Sequence, residues 1–182
     1  MRCALLLVSG SLRTASTNTA VLRTARDVAP AGTAYTLYDE LSALPHFNPD
    51  ADADPLVPIV VRLRNLVHRA DALLFSTPEY AGALPGSLKN LLEWLIGDDH
   101  PGSIYEKPVA WVNASTRGVG LAHASLRAVL GYAKANVVEA ACVELPVAAS
   151  SLGPDGLLSD ARERERLRGA VAALVARACR GT

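Results

Sequence analysis

The chain has no long apolar run. None of its windows approaches the ~20 apolar residues that a membrane span requires, and the N-terminal run covers only residues 4–8, too short for a secretion signal. It also has no excess of charge. Eighteen Lys and Arg balance eighteen Asp and Glu, so no global field recruits nucleic acid, an anionic membrane or a polyanionic substrate. Any anion has to be held locally. Cysteine is scarce: Cys3, Cys142 and Cys179 are far apart, odd in number and in no CxxC arrangement, which reads as buried free thiols in a reducing cytoplasm. Several catalytic signatures are missing too. No lysine precedes a Ser or Thr at Walker A spacing and there is no GxGxxG, so nucleoside triphosphate chemistry is disfavoured. There is no GxSxG elbow for an esterase. His46, His68, His100 and His123 have no metal-ligand spacing, and Asp98-Asp99-His100 reads as a polar loop ending a helix, so no metal is expected.

What is present is organised around residues 5–21, LLLVSGSLRTASTNTAV. The run Leu5-Leu6-Leu7-Val8 suits a strand buried on both faces of a parallel sheet. It breaks into a loop with Gly10 for close backbone approach, the hydroxyls of Ser11, Thr14, Ser16 and Thr17, and one cation, Arg13. From about residue 17 the pattern turns helical, with Val21, Leu22 and Ala25 on one side. The first free N–H groups of that helix then point into the loop, where they favour an anion such as a monophosphate. An ordinary strand-to-helix turn, capped by Ser16 or Thr17, fits the same residues.

Five strand-helix alternations follow one another without repeat or linker. Strands are read at 34–38, 71–76, 107–113 and within 137–145; helices at 56–69, 86–96, 121–134 and 159–178; residues 39–55, rich in Pro, Asp and Asn, form a long surface loop. With 50% hydrophobic residues over 182 positions, residues 1–182 are expected to form one domain. The expected fold is α/β: a three-layer, doubly wound, five-stranded parallel sheet. In the flavodoxin-like order 2-1-3-4-5, strands one, three and four are adjacent. Their trailing loops, at 9–18, 77–86 and 114–120, then meet at the carboxyl end of the sheet.

Those loops carry GSLRTASTN at 10–18, PEYAGALPGSLKNLLEW at 78–94 and KPVAWVNASTRGVG at 107–120. With them the sequence resembles the NADPH-dependent FMN reductase family, flavodoxin-like flavoenzymes that include flavin, quinone, azo-dye and chromate reductases. The resemblance implies that the first loop holds the FMN phosphate through Ser11, Arg13, Ser16, Thr17 and Asn18. It implies that Pro78, Glu79, Tyr80 and Gly82 lie against the isoalloxazine ring, and that Ser115, Thr116, Arg117 and Gly118 border ring and ribityl chain. Ala81 stands where many members have asparagine, so any polar contact of that side chain is missing.

The resulting expectation is an FMN-dependent NAD(P)H oxidoreductase that reduces a flavin, quinone or similar small acceptor by ping-pong hydride transfer, using NADPH or NADH. A flavin carries its own electron chemistry, so no catalytic side chain is required. Glu79 is the acidic candidate near the ring, with a structural or solvated carboxylate as the alternative. A flavodoxin-type electron carrier without a small substrate is the rival, although balanced charge and nine aromatics do not suggest an acidic docking face. A flavin-free regulatory module of the same fold is a third reading. The apolar positions Leu88, Leu91, Leu92, Leu95 and Ile96 suggest a helix that meets both the core and a second subunit, and family members commonly pair, so a homodimer or homotetramer is expected.

Overall fold

The structure is a computed structural model that describes residues 3–117 and 120–179. Its strands are β1 (Ala4–Ser9), β2 (Ala34–Tyr38), β3 (Ala72–Ser76), β4 (Pro108–Asn113), β5 (Asn136–Val137) and β6 (Val143–Glu144); its helices are α1 (Thr17–Val28), α2 (Pro58–Arg69), α3 (Gly86–Ile96), α4 (Leu121–Tyr132) and α5 (Ala161–Ala178). The sheet is parallel in the order β2-β1-β3-β4-β5, and β6 also pairs with β4.

Alternation of the strand side chains sorts the core into two clusters. Leu6, Val8, Leu73, Phe75, Val109 and Trp111 face α2, α3 and α4, where Val60, Leu63, Val67, Leu88, Leu91, Leu126 and Leu130 cover them. Leu5, Leu7, Leu74, Ala110 and Val112 face α1 and α5, where Val21, Leu22, Ala25, Leu167, Val171 and Leu174 do so. Burial of both faces is why the inner strands read as continuous apolar runs instead of alternating ones.

Two differences from the sequence reading have clear causes. The fifth strand is broken: a 3-10 turn at Glu139–Ala141 separates β5 from β6, and both segments align along β4, with Val109 opposite Val137 and Val112 opposite Val143. Residues 39–55 are also more than a surface excursion. Leu41 and Leu44 are buried in the core, Phe47 packs edge-on against Trp94 at 5.0 Å, and the Trp94 indole and Asn90 amide both donate to Pro45 O at 2.9 Å. Short 3-10 turns at Leu41–Ala43 and Pro49–Ala51 give this segment its shape.

The leucines of α3 are fully consumed inside the chain. Leu88, Leu91, Leu92 and Leu95 are at most 1% exposed, as is Trp94. Of the five apolar positions read as a face for the core and a second subunit, the four leucines are spent on the core and Ile96 is half-buried, beside Phe47, Val129 and Tyr132. The cysteines differ from expectation as well: Cys3 is buried, Cys142 is half-buried and Cys179 is exposed. After α3, Asp98 is buried and accepts from His68 at 2.5 Å and His100 at 3.1 Å, which ties the 97–102 loop to α2. Among the described residues no group of three or more His, Cys, Asp or Glu is arranged to hold a metal ion, and no helix is long and apolar enough to cross a membrane.

One buried cation secures the long segment. The Arg64 guanidinium donates to Trp94 O at 3.0 and 2.8 Å, satisfying a carbonyl in the last turn of α3, and to Asp52 at 2.7 Å. Gly97 is required beside it, because a Cβ there would lie 1.8 Å from the Asp52 carboxylate. Asp52→Ala would leave the guanidinium buried without its counter-ion, a loss expected to cost about 3 kcal/mol. Urea unfolding measures it, and an unchanged midpoint would show that Asp52 is not a needed partner.

Candidate active site

The three inner strands end in buried polar residues: Ser9, Ser76 and Asn113 close β1, β3 and β4. Ser9 and Asn113 anchor the loops that follow them, and Ser76 ties the start of α1 to β4. Ser9 Oγ bonds Thr19 Oγ1 at 2.9 Å and accepts from Ser11 N at 3.3 Å. Ser76 Oγ lies 2.9 Å from Asn18 Oδ1 and 3.0 Å from Val112 O, and can donate to either acceptor. Asn113 Oδ1 accepts from Ser115 N at 3.0 Å. The core thus gives way to a polar junction, and the loops spring from it in fixed positions.

Between these loops lies a cleft of about 400 Å³, bordered by Ser11, Arg13, Ser16, Thr17 and Asn18 of the first loop and helix start; by Thr77, Pro78, Glu79, Tyr80, Ala81 and Gly82 of the second; by Ala114, Ser115, Thr116 and Arg117 of the third; and by Val147. Every residue that the family resemblance implied is on its wall except Gly118, which lies outside the described residues; of the first-loop residues read as an anion site, Gly10 and Thr14 do not line it. Thr77 and Ala114 were missed although they sit within or beside the quoted motifs. Val147 carried no motif; it arrives because its N–H donates to Ala114 O at 3.1 Å, beyond the second half of the broken fifth strand.

The hydroxyls of the first loop are arranged as donors. Ser11 Oγ accepts from Arg13 N at 3.3 Å, and Ser16 Oγ caps α1 by accepting from Thr19 N at 3.4 Å. Since each oxygen already receives a backbone proton, each O–H remains able to donate. The N–H groups of Thr17 and Asn18, in the first turn of α1, have no intrahelical acceptor, and the exposed guanidinium of Arg13 stands at the same end. The set therefore has the chemistry of an anion site, combined with an ordinary serine cap. Gly10 serves a different purpose from the one its sequence suggested. Its N–H donates to Ser76 O at 2.8 Å, and a Cβ would meet Thr77 Oγ1 at 2.3 Å and a Leu88 methyl at 2.9 Å, so glycine allows loop to meet loop.

On the opposite wall, Glu79 Oε2 accepts from Ala122 N at 3.0 Å. Helix α4 has no side-chain cap of its own at Gly120, and Glu79 supplies one from the neighbouring loop. Of the two alternatives for this carboxylate, the structural one is present. Beside it, His123 is buried with both ring nitrogens unpartnered among the described residues; burial pushes its pKa down, against the upward pull of Glu144 and Glu79. The exposed ring of Tyr80 also borders the cleft.

Comparison with known proteins agrees with this picture. The NADPH-dependent FMN reductase family profile matches residues 3–150. An NAD(P)H-dependent FMN reductase of Pseudomonas aeruginosa is 35% identical over 170 residues, 92% of this chain and 90% of that protein. A quinone reductase of Pseudomonas putida is 37% identical over 116 residues, 63% of this chain and 61% of that protein. Among solved structures, FerB, a flavoenzyme NAD(P)H:(acceptor) oxidoreductase of Paracoccus denitrificans, superposes with a TM-score of 0.79 at 28% identity, covering 98% of both chains.

The alanine at 81 takes on a physical meaning here. Tyr80 and Ala83 exchange two backbone bonds of 3.1 Å, with Ala81 at φ 51° and Gly82 at φ 73° between them. Positive φ at both central residues makes a type I′ turn, in which Asn-Gly is the favoured pair. The missing asparagine is thus first a matter of backbone conformation, since alanine in the left-handed region costs roughly 1–2 kcal/mol. Ala81→Asn is expected to stabilise the protein by about 0.5–1 kcal/mol, or roughly 1–4 °C in melting temperature. Calorimetry gives the answer, and an equal or lower melting temperature would show that the turn tolerates alanine without strain.

Proposed function

The chain belongs to the NADPH-dependent FMN reductase family, and from that membership we propose that it is an FMN-dependent NAD(P)H oxidoreductase whose cleft receives the nicotinamide donor and a small flavin- or quinone-class acceptor in turn. The observation that carries this reading is the convergence of three loops, with donors at one end and a hairpin at the other, on one cleft at the carboxyl ends of adjacent strands.

The wall fits the cofactor. Ser11, Arg13, Ser16 and the N–H groups of Thr17 and Asn18 would hold the phosphate, where the donor set has no carboxylate to oppose it. The backbone of residues 78–82 and of 114–117 would flank the ring, with Tyr80 and Val147 as apolar borders. When bound, FMN supplies the hydride-accepting and hydride-donating chemistry. The protein's part is to bind, orient and shape the space above the ring. Glu79 holds the hairpin against α4 in this scheme and transfers no proton. Alternating occupancy is supported by the meeting of all three loops on the same cleft and by the absence of a separate GxGxxG site in the sequence. The relatives are named as reductases, which supports an enzyme over an electron carrier.

The test is an initial-rate study of the FMN-loaded protein with NADH and NADPH against free flavin and a benzoquinone. Turnover with parallel double-reciprocal lines is expected. Intersecting lines would overturn alternating occupancy, and no oxidation of either nicotinamide with any acceptor would overturn the enzyme.

A second prediction isolates the phosphate end. Charge-assisted hydrogen bonds contribute roughly 1.5–3 kcal/mol, so Arg13→Ala should weaken FMN binding about 10- to 150-fold, at ~1.4 kcal/mol per factor of ten. Riboflavin, which has no phosphate, should bind both proteins equally. Fluorescence titration with the two flavins separates a ligand contact from loop damage, because damage would weaken both.

A further inference from the structure

The first turn of α4 places a buried, unsatisfied imidazole next to a carboxylate that belongs to another loop. Gly120 occupies the cap position without a side chain, and Leu121, Ala122 and His123 follow it. At such an end a side-chain oxygen at the cap accepts from the second or third N–H, and the side chain of the third residue reaches back to the cap. Glu79 supplies the oxygen here, through its bond to Ala122 N at 3.0 Å. The hairpin that follows Glu79 packs at the same place, since a Cβ on Gly82 would lie 3.6 Å from a Leu121 methyl. His123 stands where the second member of a capping pair would, yet it is 9% exposed and neither ring nitrogen has a partner among the described residues. One carboxylate thus has two possible partners: the N–H it holds and an imidazole that has none.

We propose that His123 is a positioning residue of the cleft that acts through Glu79: with its ring neutral, Glu79 caps α4 and holds the 78–82 hairpin in the wall, and when the ring takes up a proton Glu79 turns from Ala122 N to the imidazolium and the wall loosens. The surroundings of the ring set the direction. Glu79 faces it from the second loop and the exposed Glu144 from β6. Trp111 of β4 lies 6.2 Å away between ring centroids, and over that indole, at 4.9 Å, stands Arg127 of α4, itself paired with Glu139 of the 3-10 turn. Burial outweighs the two carboxylates and holds the imidazole below its ordinary range, so the ring is neutral at pH 7. A proton there creates a cation at the positive end of a helix, where Glu79 is the carboxylate already in place. The sign follows from linkage. The stability due to a neutral buried ring is complete above the ordinary histidine value of ~6.5 and declines as pH falls through it, whereas flavin affinity declines only below the lowered value of the folded protein, by at most about tenfold per pH unit for one proton. Bound FMN should in turn push His123 lower still, since the coupling is reciprocal. The flavin part rests on the function proposed above; the exchange of partners by Glu79 does not.

The experiment follows the histidine ring and backbone amide resonances by NMR between about pH 8 and about pH 5, in the flavin-free and the FMN-loaded protein, with His123 identified by its loss in His123→Gln. His123 is expected to titrate below ~6.5, with the Ala122 amide shifting at the same midpoint, and FMN should lower that midpoint. Glu79→Gln keeps an oxygen for Ala122 N but no charge to draw an imidazolium, so it should lower the midpoint too and uncouple the Ala122 amide from it. Fluorescence titration then compares FMN affinity over the same range in the wild type and His123→Gln. The FMN phosphate has its own titration near pH ~6, which both proteins share, so the steeper loss of affinity in the wild type is the readout. An Ala122 amide that stays still while His123 titrates, or a His123 midpoint at or above ~6.5, would overturn the proposal, and equal pH dependences of FMN affinity in the two proteins would remove His123 from the cleft's function. A protein that takes up no FMN at any pH would instead overturn the proposed function, while the titration of His123 and Ala122 still decides the exchange.

Discussion

Burial of the sheet on both faces is the constraint from which the rest follows. With Leu5, Leu7 and Leu74 covered by α1 and α5, and Leu6, Val8 and Phe75 covered by α2, α3 and α4, the inner strands have no face on which to place a polar side chain. Chemistry is therefore confined to the strand ends. There Ser9, Ser76 and Asn113 form a buried polar boundary whose side chains engage the loops and the start of α1, so that buried polar groups are satisfied and the loops are positioned by the same bonds. Gly10 and Thr77 complete the junction by allowing the first two loops to touch.

Much of this was legible from the sequence because it depends on local patterns. Apolar runs followed by helical periodicity located β1, the start of α1, β3, α3 and β4 to within a residue; the alternation implied a parallel sheet, and the flavodoxin-like strand order brought the three loops together. What escaped depends on contacts between distant residues. Nothing in the composition of residues 39–55 announces that Asp52 will meet Arg64, or that Pro45 O will receive the indole of Trp94. The break between β5 and β6 hides in the same way, since Val137, Val138 and Val143 look like one continuous strand until a short turn intervenes. Val147 reaches the cleft only as a consequence of that break. The leucines of α3 show the converse: a wide apolar face was visible, but whether it meets its own core or a second chain is decided by the packing alone.

Hydroxyl groups in this cleft have a structural part and, on the proposed function, a binding one. Ser11, Ser16 and Ser115 each accept a backbone N–H from two or three residues onward, which bends the loop or caps the helix. The same acceptance leaves their protons as the group with which to meet a ligand. A motif of this kind gives no sequence-level means of separating the capping reading from the binding one, because the geometry that satisfies the first produces the second.

The distribution of charge then limits what the walls can do on their own. Arg13 and Arg117 stand exposed on separate loops, while Glu79 is engaged by the N–H of Ala122 at the start of α4. His123, one residue further along that helix, is buried, and desolvation favours its neutral form. Proton transfer needs an acid or base positioned and free to exchange, and Glu79, the one carboxylate on the described wall, already serves as a helix cap. A cleft that presents hydrogen-bond donors at one end, a rigid hairpin at the other and no uncommitted carboxylate between them is suited to holding a group that brings its own reactivity. On the proposed function, its selectivity would rest on the shape set by Tyr80, the Ala81-Gly82 turn and Val147, so differences in acceptor preference among such proteins would arise in the least conspicuous parts of the sequence.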